Sequence, residues 1–321
     1  MTPSSYDLVI IGGGPAGSAA GIYAARKRLK TLLLTNDFGG QSIVSPDIHN
    51  WIGTPSISGI ELAESFKKHL RAYANNVLEL KDGENITKVE KGLLAGQAGG
   101  KNFSIKTASG KSFSGRAVLI TTGSARRKLE AINADKFEHK GITYCASCDG
   151  PLYADKDVIV IGAGNAGFES AAQLLAYCKS VTLLNRGNEF TKADPGTVEA
   201  VLKNEKTKVI SNAETIRVDG NDFAESLTYR DIKTGEEHTM KTDGIFVEIG
   251  QVPNTELVDG LVELNERKNI VVDPRNQRTK TLGVWAAGDV TDGLYHQNNI
   301  AAGDAVKALE DIYIYLHGKT N

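Results

Sequence analysis

The stretch YDLVIIGGGPAGSAAGIYAARKRLKTLLLT, residues 6–35, decides the fold. Its apolar run Leu8–Ile11 ends in glycines and passes into an alanine-rich helical segment, which a second apolar run, Thr31–Leu34, follows. This order of strand, tight turn, helix and strand predicts a βαβ unit. The glycines have the spacing G-x-G-x-x-G, which is typical of a turn that binds the pyrophosphate of a dinucleotide.

Each glycine of this motif has its own physical task. Gly12 permits the tight turn, Gly14 lets the backbone approach a pyrophosphate, and Gly17 lets helix and strand pack closely. The helix N-terminus adds the positive end of its dipole, which favours phosphate groups. Pro15 and Ala16 lie between the glycines and complete the candidate site.

The same pattern occurs a second time, in DVIVIGAGNAGFESAAQLLAYCKSVTLLNR, residues 157–186. One glycine motif is common in proteins, but two, each after an apolar strand and before an alanine-rich helix, indicate two nucleotide-binding units. The alternative is a pair of α/β units without dinucleotides. The second candidate site consists of Gly162, Gly164, Asn165, Ala166 and Gly167.

Composition narrows the class of protein. The length of 321 residues suggests about two domains. The net charge of -2 gives no electrostatic footprint for nucleic acid or an anionic membrane. Since neither a signal peptide nor a membrane-spanning apolar stretch is visible, we expect a cytoplasmic protein with no membrane association.

Two of the three cysteines lie close together in YCASCDGPLY, residues 144–153. Cys145 and Cys148 could form a disulfide that opens and closes, half of a metal site, or two buried apolar side chains. A structural zinc site needs four ligands, whereas Cys178 is the remaining cysteine and the six histidines are scattered along the chain. We therefore predict no metal site, and we expect Cys178 to be a packing residue.

The order of several motifs resembles a known family. These motifs are GGGPAG at 12–17, GGQ at 39–41, NWIG at 50–53, TTG at 121–123, CASCDG at 145–150 and AAGDV at 286–290. Over essentially its whole length the chain resembles the low-molecular-weight thioredoxin reductases. The CASCDG stretch is the most specific part of the resemblance, because it comes just ahead of the second glycine motif.

The resemblance implies an α/β fold with two Rossmann-like, doubly wound nucleotide-binding domains and additional small β-sheets. The FAD-binding domain would be discontinuous, with residues 1–122 and 246–321. A pyridine-nucleotide-type domain, residues 123–245, would be inserted into it and would carry the cysteine pair. The family's members are homodimers, and the resemblance implies the same state here.

The resemblance also implies a reaction, FAD-dependent disulfide reduction. Electrons would pass from a nicotinamide nucleotide to FAD, then to a Cys145–Cys148 disulfide, and then to thioredoxin or a thioredoxin-like protein. Cys148 would be the sulfur near the flavin, and Cys145 would attack the disulfide of the partner protein. Asp149 would manage the protons of this exchange.

The cofactor-binding residues follow from the same resemblance. His296 stands where many relatives have arginine beside the flavin, and a histidine there could titrate near neutral pH. The residues expected at FAD are Gly12, Gly14, Pro15, Ala16, Gly17, Gly40, Gln41, Asn50, Thr122, Gly123, Gly288, Asp289, His296 and Gln297. Those expected at NAD(P) are Gly162, Gly164, Asn165, Ala166, Gly167 and Arg186.

The sequence departs from the family at the site for the 2′-phosphate of NADPH. Relatives that use NADPH usually have a His-Arg-Arg stretch after the second strand of this domain, whereas here Asn185 and Arg186 are followed by Glu189 and Lys192. The family predicts NADPH as donor. NADH is an alternative, as in the related flavin subunit of alkyl hydroperoxide reductase. A third is a donor other than a nicotinamide, such as ferredoxin.

Two other functions stay open at this stage. One is the reductase of a peroxidase system that uses NADH. Since that branch carries additional thioredoxin-like domains at its N-terminus and this chain starts at the FAD strand, a separate carrier protein would be needed. The other is a redox-sensing flavoprotein without turnover. The aspartate after the cysteine pair favours an enzyme, because a sensor needs no group that manages protons.

Overall fold

The computed structural model describes residues 5–45, 47–74, 77–92, 102–190 and 193–318. The chain forms two compact units: unit 1 comprises residues 1–125 and 252–321, and unit 2 comprises residues 126–251. Lys192, which follows Arg186 in the loop after the second glycine motif, lies outside the described residues.

The secondary structure alternates between strands and helices. The strands are β1 Ser5–Gly13, β2 Thr31–Phe38, β3 Leu78–Lys81, β4 Ile86–Lys91, β5 Phe103–Thr107, β6 Ser112–Ile120, β7 Ser124–Arg126, β8 Ile142–Thr143, β9 Asp157–Ile161, β10 Ser180–Asn185, β11 Thr207–Ser211, β12 Ala213–Gly220, β13 Ala224–Asp231, β14 Glu237–Lys241, β15 Gly244–Val247, β16 Gln251–Pro253 and β17 Val284–Ala286. The helices are α1 Pro15–Arg26, α2 Gly59–Tyr73, α3 Ala146–Asp149, α4 Asn165–Leu174, α5 Pro195–Leu202 and α6 Asn298–His317.

The main sheet of unit 1 has the strand order β3-β2-β1-β6-β5-β4, and β17 also pairs with β6. The pairs that involve β1, β2, β3 and β17 are parallel, while β5 is antiparallel to both β4 and β6. Unit 2 has a parallel sheet in the order β11-β10-β9-β15-β8 and an antiparallel sheet β12-β13-β14. The predicted α/β class, with Rossmann-like parallel sheets and small antiparallel sheets, is confirmed.

The continuous apolar run along β1 explains why this strand lies in the interior of its sheet. Leu8 and Ile10 pack into a cluster with the alanine side of α1 and the apolar side of α6. Val9 and Ile11 point to the opposite face and pack into a second cluster. Since successive side chains of a strand alternate between faces, an apolar run buries both faces of the sheet.

Unit 2 repeats this arrangement around β9. Ile159 and Ile161 belong to the cluster on one face of the sheet, and Val158 and Val160 belong to the cluster on the other. In both units the glycine turn comes directly after the central strand. The turns therefore lie at the carboxyl edge of a parallel sheet, which is where open α/β sheets bind ligands.

Candidate active site

The first glycine turn leaves no room for side chains at two of its positions. Gly12 has φ +118°, and a Cβ there would lie 2.2 Å from the carbonyl oxygen of Thr121. A Cβ on Gly17 would lie 1.8 Å from the carbonyl oxygen of Gly12. The turn therefore requires glycine for its backbone conformation at the first position and for the close contact between helix and turn at the second.

A cavity of about 920 Å³ opens at this turn within unit 1. Gly14 is the N-cap residue of α1 and no described side chain caps it, so the amide donors of the first helical turn suit an anion. The size, the glycine cradle and the uncapped helix start fit the pyrophosphate of FAD. The predicted residues that line the cavity are Gly12, Gly14, Pro15, Ala16, Gly40, Gln41, Thr122, Gly123 and Asp289.

Hydrogen bonds tie the polar side chains around this cavity together. The amide nitrogen of Gln41 donates to Ser124 Oγ at 3.2 Å and to Asp289 Oδ2 at 3.4 Å. Ser42 donates to Asn298 Oδ1 at 2.9 Å. Sequence reasoning missed Ser124 and Asn298, because their role depends on contacts between segments more than eighty residues apart.

Two of the residues predicted at FAD, Asn50 and Gln297, are hydrogen-bonded to each other. Asn50 donates from Nδ2 to Gln297 Oε1 at 3.0 Å, and Asn299 donates to the carbonyl oxygen of Asn50 at 2.7 Å. His296 Nε2 lies 3.1 Å from the carbonyl oxygen of Gly293. Asn50, His296 and Gln297 are not among the residues that line the cavity. Their contact with the flavin stays a prediction.

Gly288 lies close to two alanines of the cavity wall. It has φ +77°, and a Cβ there would lie 3.1 Å from the Cβ of Ala301 and 3.5 Å from that of Ala16. Since Ala16 and Ala301 both line the cavity, Gly288 allows the two helices that carry them to approach.

The second glycine turn, in unit 2, has the same backbone geometry. Gly162 has φ +110°, and a Cβ on Gly167 would lie 1.8 Å from the carbonyl oxygen of Gly162. Gly164 is the N-cap residue of α4, again with no described side chain as cap. Asn165 Oδ1 accepts a hydrogen bond from the backbone N–H of Asp194 at 2.7 Å, so this side chain orders the neighbouring loop.

Glu248 faces the first glycine of this second turn, and sequence reasoning did not select it. Its carbonyl oxygen would be 2.3 Å from a Cβ on Gly162. Its partly buried carboxylate accepts a hydrogen bond from Ser170 at 2.7 Å. Burial raises the pKa of Glu248 to about 6, although the Ser170 hydrogen bond and the charge of Arg126 act against this shift.

The loop after β10 carries Arg186, the residue predicted at the site for the 2′-phosphate of the nucleotide. Asn185 is buried, accepts from the Gly187 N–H at 3.1 Å and donates to the Glu189 carbonyl oxygen at 3.1 Å. Arg186 forms an ion pair with Glu214, with 2.9 Å between Nη2 and Oε1. Thus the single arginine of this loop already has an acidic partner.

The two cysteines of CASCDG form a disulfide, with 5.3 Å between their Cα atoms. Cys145 has an extended backbone and caps the start of α3, and its carbonyl oxygen accepts the N–H groups of Cys148 at 3.2 Å and Asp149 at 3.0 Å. Both cysteines are partly buried, whereas Ser147 between them is exposed. The local turn therefore closes the disulfide and keeps one side of it near solvent.

Asp149 lies in a polar position directly beside the disulfide. Its Oδ2 accepts a hydrogen bond from the hydroxyl of Thr143. Burial, and secondarily the charge of Asp149, raise the pKa of Tyr153 to about 12. A phenol that stays protonated thus lies near the Asp149 carboxylate, and the carboxylate is the group of this pair that could exchange protons at neutral pH.

Cys178 differs from this pair in its burial and in its surroundings. It is fully buried and packs with Phe168 and Leu174 in a core cluster of unit 2. Burial raises the pKa of its thiol to about 11, so the thiol stays protonated. Among the described residues, no group of three or more His, Cys, Asp or Glu side chains lies close enough to hold a metal ion.

Comparison with known proteins assigns the chain to a family. Residues 6–305 match the sequence pattern described as pyridine nucleotide-disulphide oxidoreductase. The chain belongs to this family. The family is FAD-dependent and takes its electrons from a nicotinamide nucleotide. The family resemblance inferred from the motifs is confirmed, and the protein is a disulfide oxidoreductase by class.

Relatives of this pyridine nucleotide-disulphide oxidoreductase belong to more than one branch. A subunit of alkyl hydroperoxide reductase in Escherichia coli is 38% identical over 97% of this chain and 58% of its own length. A Bacillus subtilis protein named NADH dehydrogenase is 35% identical, with the same two coverages. The chain thus spans less than two thirds of the length of these curated relatives.

A solved structure matches this chain over almost the whole length of both proteins. Thioredoxin reductase from Streptococcus pyogenes superposes with a TM-score of 0.86 at 30% identity and covers 98% of this chain and 99% of its own. No helix among the described residues of the oxidoreductase is long and apolar enough to cross a membrane. The roles of individual site residues are still predictions, since the comparisons concern whole chains.

Proposed function

We propose that the protein is a flavin-dependent disulfide reductase that transfers electrons from NADH through FAD and the Cys145–Cys148 disulfide to thioredoxin or a thioredoxin-like carrier. The observation that carries this proposal is the disulfide itself, which has a carboxylate, Asp149, directly beside it. Similarity to a thioredoxin reductase over almost the entire length of both chains supports the proposal.

The cysteines perform the exchange in two steps. FAD, once bound and reduced by the nucleotide, would supply the two electrons that open the Cys145–Cys148 disulfide, and uptake of two protons then gives two thiols. The Cys145 thiolate then attacks one sulfur of the carrier disulfide, which forms a mixed disulfide and releases the other carrier sulfur as a thiolate. The Cys148 thiolate attacks Cys145 Sγ, restores the intramolecular disulfide and releases the second carrier sulfur.

Asp149 manages the protons of this cycle in the proposal. Opening the disulfide to two thiols takes up two protons, and each sulfur has to lose its proton again before it attacks as a thiolate. Thr143 fixes the carboxylate through its hydroxyl, so the group has a defined orientation beside the pair. A carboxylate held in this way can accept and return a proton in each turnover.

NADH is the proposed donor because the described loop after β10 offers a single arginine. A 2′-phosphate is typically bound by more than one cationic group. Glu189 adds a negative charge four residues after Asn185. The name NADH dehydrogenase of the Bacillus subtilis relative supports the same donor.

The test is an anaerobic titration of the oxidised, FAD-loaded protein with NADH and, separately, with NADPH. We expect NADH to bleach the flavin absorbance rapidly and the protein then to reduce an added thioredoxin. Cys148→Ser should keep rapid flavin bleaching and lose carrier reduction, whereas Cys178→Ala, which removes the buried thiol, should keep both. If neither nucleotide bleaches a flavin that dithionite does bleach, the proposal is wrong, and a protein donor such as ferredoxin becomes the next hypothesis.

The similarity to the Escherichia coli alkyl hydroperoxide reductase supports a second candidate, the reductase of a peroxidase system. In that case the carrier would pass the electrons to a peroxidase. The two candidates differ in the carrier that is reduced fastest. Steady-state NADH oxidation with thioredoxin, compared with a thioredoxin-like carrier coupled to a peroxidase and a hydroperoxide, distinguishes them. Absence of turnover with either carrier, despite flavin reduction, would favour the redox sensor.

A further inference from the structure

We propose that Glu214 selects the nucleotide, because it holds Arg186 in an ion pair and so withholds the cation that a 2′-phosphate requires. This inference rests on the proposed function, and it concerns a residue outside the βαβ unit that carries the glycine motif. Glu214 is the second residue of β12, in the antiparallel sheet of unit 2.

The starting point is the residue at the end of β10, which in dinucleotide folds commonly decides between a ribose hydroxyl and a phosphate. Here it is Asn185, a neutral residue. Both ends of its amide are engaged within the loop, with the Gly187 N–H and with the Glu189 carbonyl oxygen. Asn185 therefore shapes the loop, and the selecting charge has to come from another position.

The backbone brings β12 to this loop. The N–H of Asn212 donates to the carbonyl oxygen of Gly187 at 2.8 Å, which joins the loop to the residue just before β12. Glu214 then lies beside Arg186, with 2.9 Å between Oε1 and Nη2. The pairing is a consequence of main-chain geometry as well as of charge.

A second arginine converges on the same carboxylate. Arg230 is the cross-strand neighbour of Glu214 on β13, and its Nη1 lies 4.0 Å from Glu214 Oε2. Arg230 also pairs with Glu237, with 3.2 Å between Nη2 and Oε1. Two arginines therefore face two carboxylates, and no net positive charge remains at this group for a phosphate that carries about -2.

Stability alone does not account for this ion pair. The Arg186 side chain is 80% exposed, and exposed ion pairs contribute little to folding. The same exposure leaves the pair at the surface where a ribose-linked phosphate would have to bind. Replacing Glu214 by glutamine should therefore leave the fold intact while it releases Arg186 and removes one repulsive charge.

The experiment measures binding of 2′,5′-ADP and of 5′-AMP to the oxidised protein by calorimetry, together with kcat/KM for NADPH and NADH. For Glu214→Gln we expect binding of 2′,5′-ADP and kcat/KM for NADPH to rise about tenfold, as for one gained charge-assisted contact. Binding of 5′-AMP and kcat/KM for NADH should stay within about twofold. Adding Arg186→Ala to Glu214→Gln should abolish the gain.

Glu237→Gln is the matched control. This substitution removes the same charge from the same sheet. Glu237 contacts Arg230, whereas Glu214 contacts Arg186 as well as Arg230. The inference predicts that its gain for 2′,5′-ADP is less than a third of the gain with Glu214→Gln. Equal gains would overturn the inference, because diffuse charge and not the Arg186 pair would then decide.

The outcomes separate this inference from the proposed function. If the wild-type protein oxidises NADH and Glu214→Gln does not change the ratio of NADPH to NADH use, Glu214 does not select and the proposed function stands. If neither nucleotide reduces the wild-type flavin, the proposed function fails. The binding of 2′,5′-ADP to the two variants then still decides whether Glu214 controls phosphate recognition.

Discussion

The two glycine turns are nearly identical in backbone and different in surroundings. Gly12 and Gly162 have φ of +118° and +110°. A Cβ on Gly17 would lie 1.8 Å from the carbonyl oxygen of Gly12, and a Cβ on Gly167 would lie at the same distance from that of Gly162. Such identity fits the role proposed for both turns, in which a strand turns sharply into a helix whose N-terminus would bind a phosphate. The turn itself therefore specifies a dinucleotide and not a particular one.

The difference lies in the side chains behind each turn. Thr121 faces Gly12 in unit 1, whereas Glu248 occupies the equivalent place beside Gly162 in unit 2. Thr121 is buried and its hydroxyl donates to the carbonyl oxygen of Ile11 at 2.8 Å. The residue beside the first turn thus has a neutral hydroxyl, and the residue beside the second has an ionisable carboxylate that accepts from Ser170, so we expect the second turn to respond to pH near 6.

The largest effects are expected from two separate variants, each of which adds one methyl group to one of the turns. Gly17→Ala should abolish FAD retention, and Gly167→Ala should keep FAD but lose nucleotide-driven bleaching, because each Cβ would lie 1.8 Å from a carbonyl oxygen. We expect each ligand to bind at least about a hundredfold more weakly, the scale of a steric overlap that costs several kcal/mol. Flavin absorbance of the purified protein and anaerobic titration measure the two losses.

Gly303→Ala is the matched control for these substitutions. Gly303 lies in α6, and a Cβ there has nothing within 4 Å. Alanine in a helix is favoured over glycine by about 1 kcal/mol, so this variant should retain FAD and be slightly more stable. Loss of FAD from Gly303→Ala would show that the assay responds to any added methyl group and would remove the support for the comparison.

Glu248→Gln tests the charge in the second turn. Because burial raises the pKa of Glu248 to about 6, ionisation destabilises the folded state as pH rises from the unfolded value through 6. The variant should therefore be more stable than the wild type by about 2 kcal/mol at pH 7.5 and by less than half of that at pH 5. Urea unfolding at the two pH values measures this difference, and an equal gain at both would refute the assignment.

Thr121→Val gives the smallest expected effect. Valine keeps the shape of the side chain and removes the hydroxyl that donates to Ile11, so we expect a loss of about 1 kcal/mol. In contrast to Glu248→Gln, the change in the free energy of unfolding should be the same at pH 5 and pH 7.5. A pH-dependent change at Thr121 would contradict the view that the first turn is closed by a neutral group.

Much of the fold follows from patterns that are local in the sequence. The continuous apolar runs Leu8–Ile11 and Val158–Ile161 predict both central strands, since a short apolar run before a glycine turn is typical of a buried parallel strand. The spacing of Cys145 and Cys148 brings the two thiols close together, but the choice of a disulfide over a metal site or buried thiols comes from the family resemblance. Such features need no knowledge of distant segments.

The residues that sequence reasoning missed depend on distant contacts. Glu214 meets Arg186 across 28 positions, and Ser170 meets Glu248 across 78. Each is an ordinary polar residue in its own segment, with no motif around it. Polar pairing of this kind follows from strand register and loop geometry, which the sequence does not reveal by periodicity alone.

The insertion of unit 2 between residues 125 and 252 has a consequence for biosynthesis. Unit 2 is one uninterrupted segment, so all of its strands have left the ribosome once Gln251 has emerged. Unit 1 is incomplete at that moment, because β17 and α6, which pack against β6 and α1, come later in the chain. Leu8 and Ile10 therefore keep an uncovered apolar side until α6 emerges, and exposed apolar surface of this kind makes a nascent chain prone to aggregation.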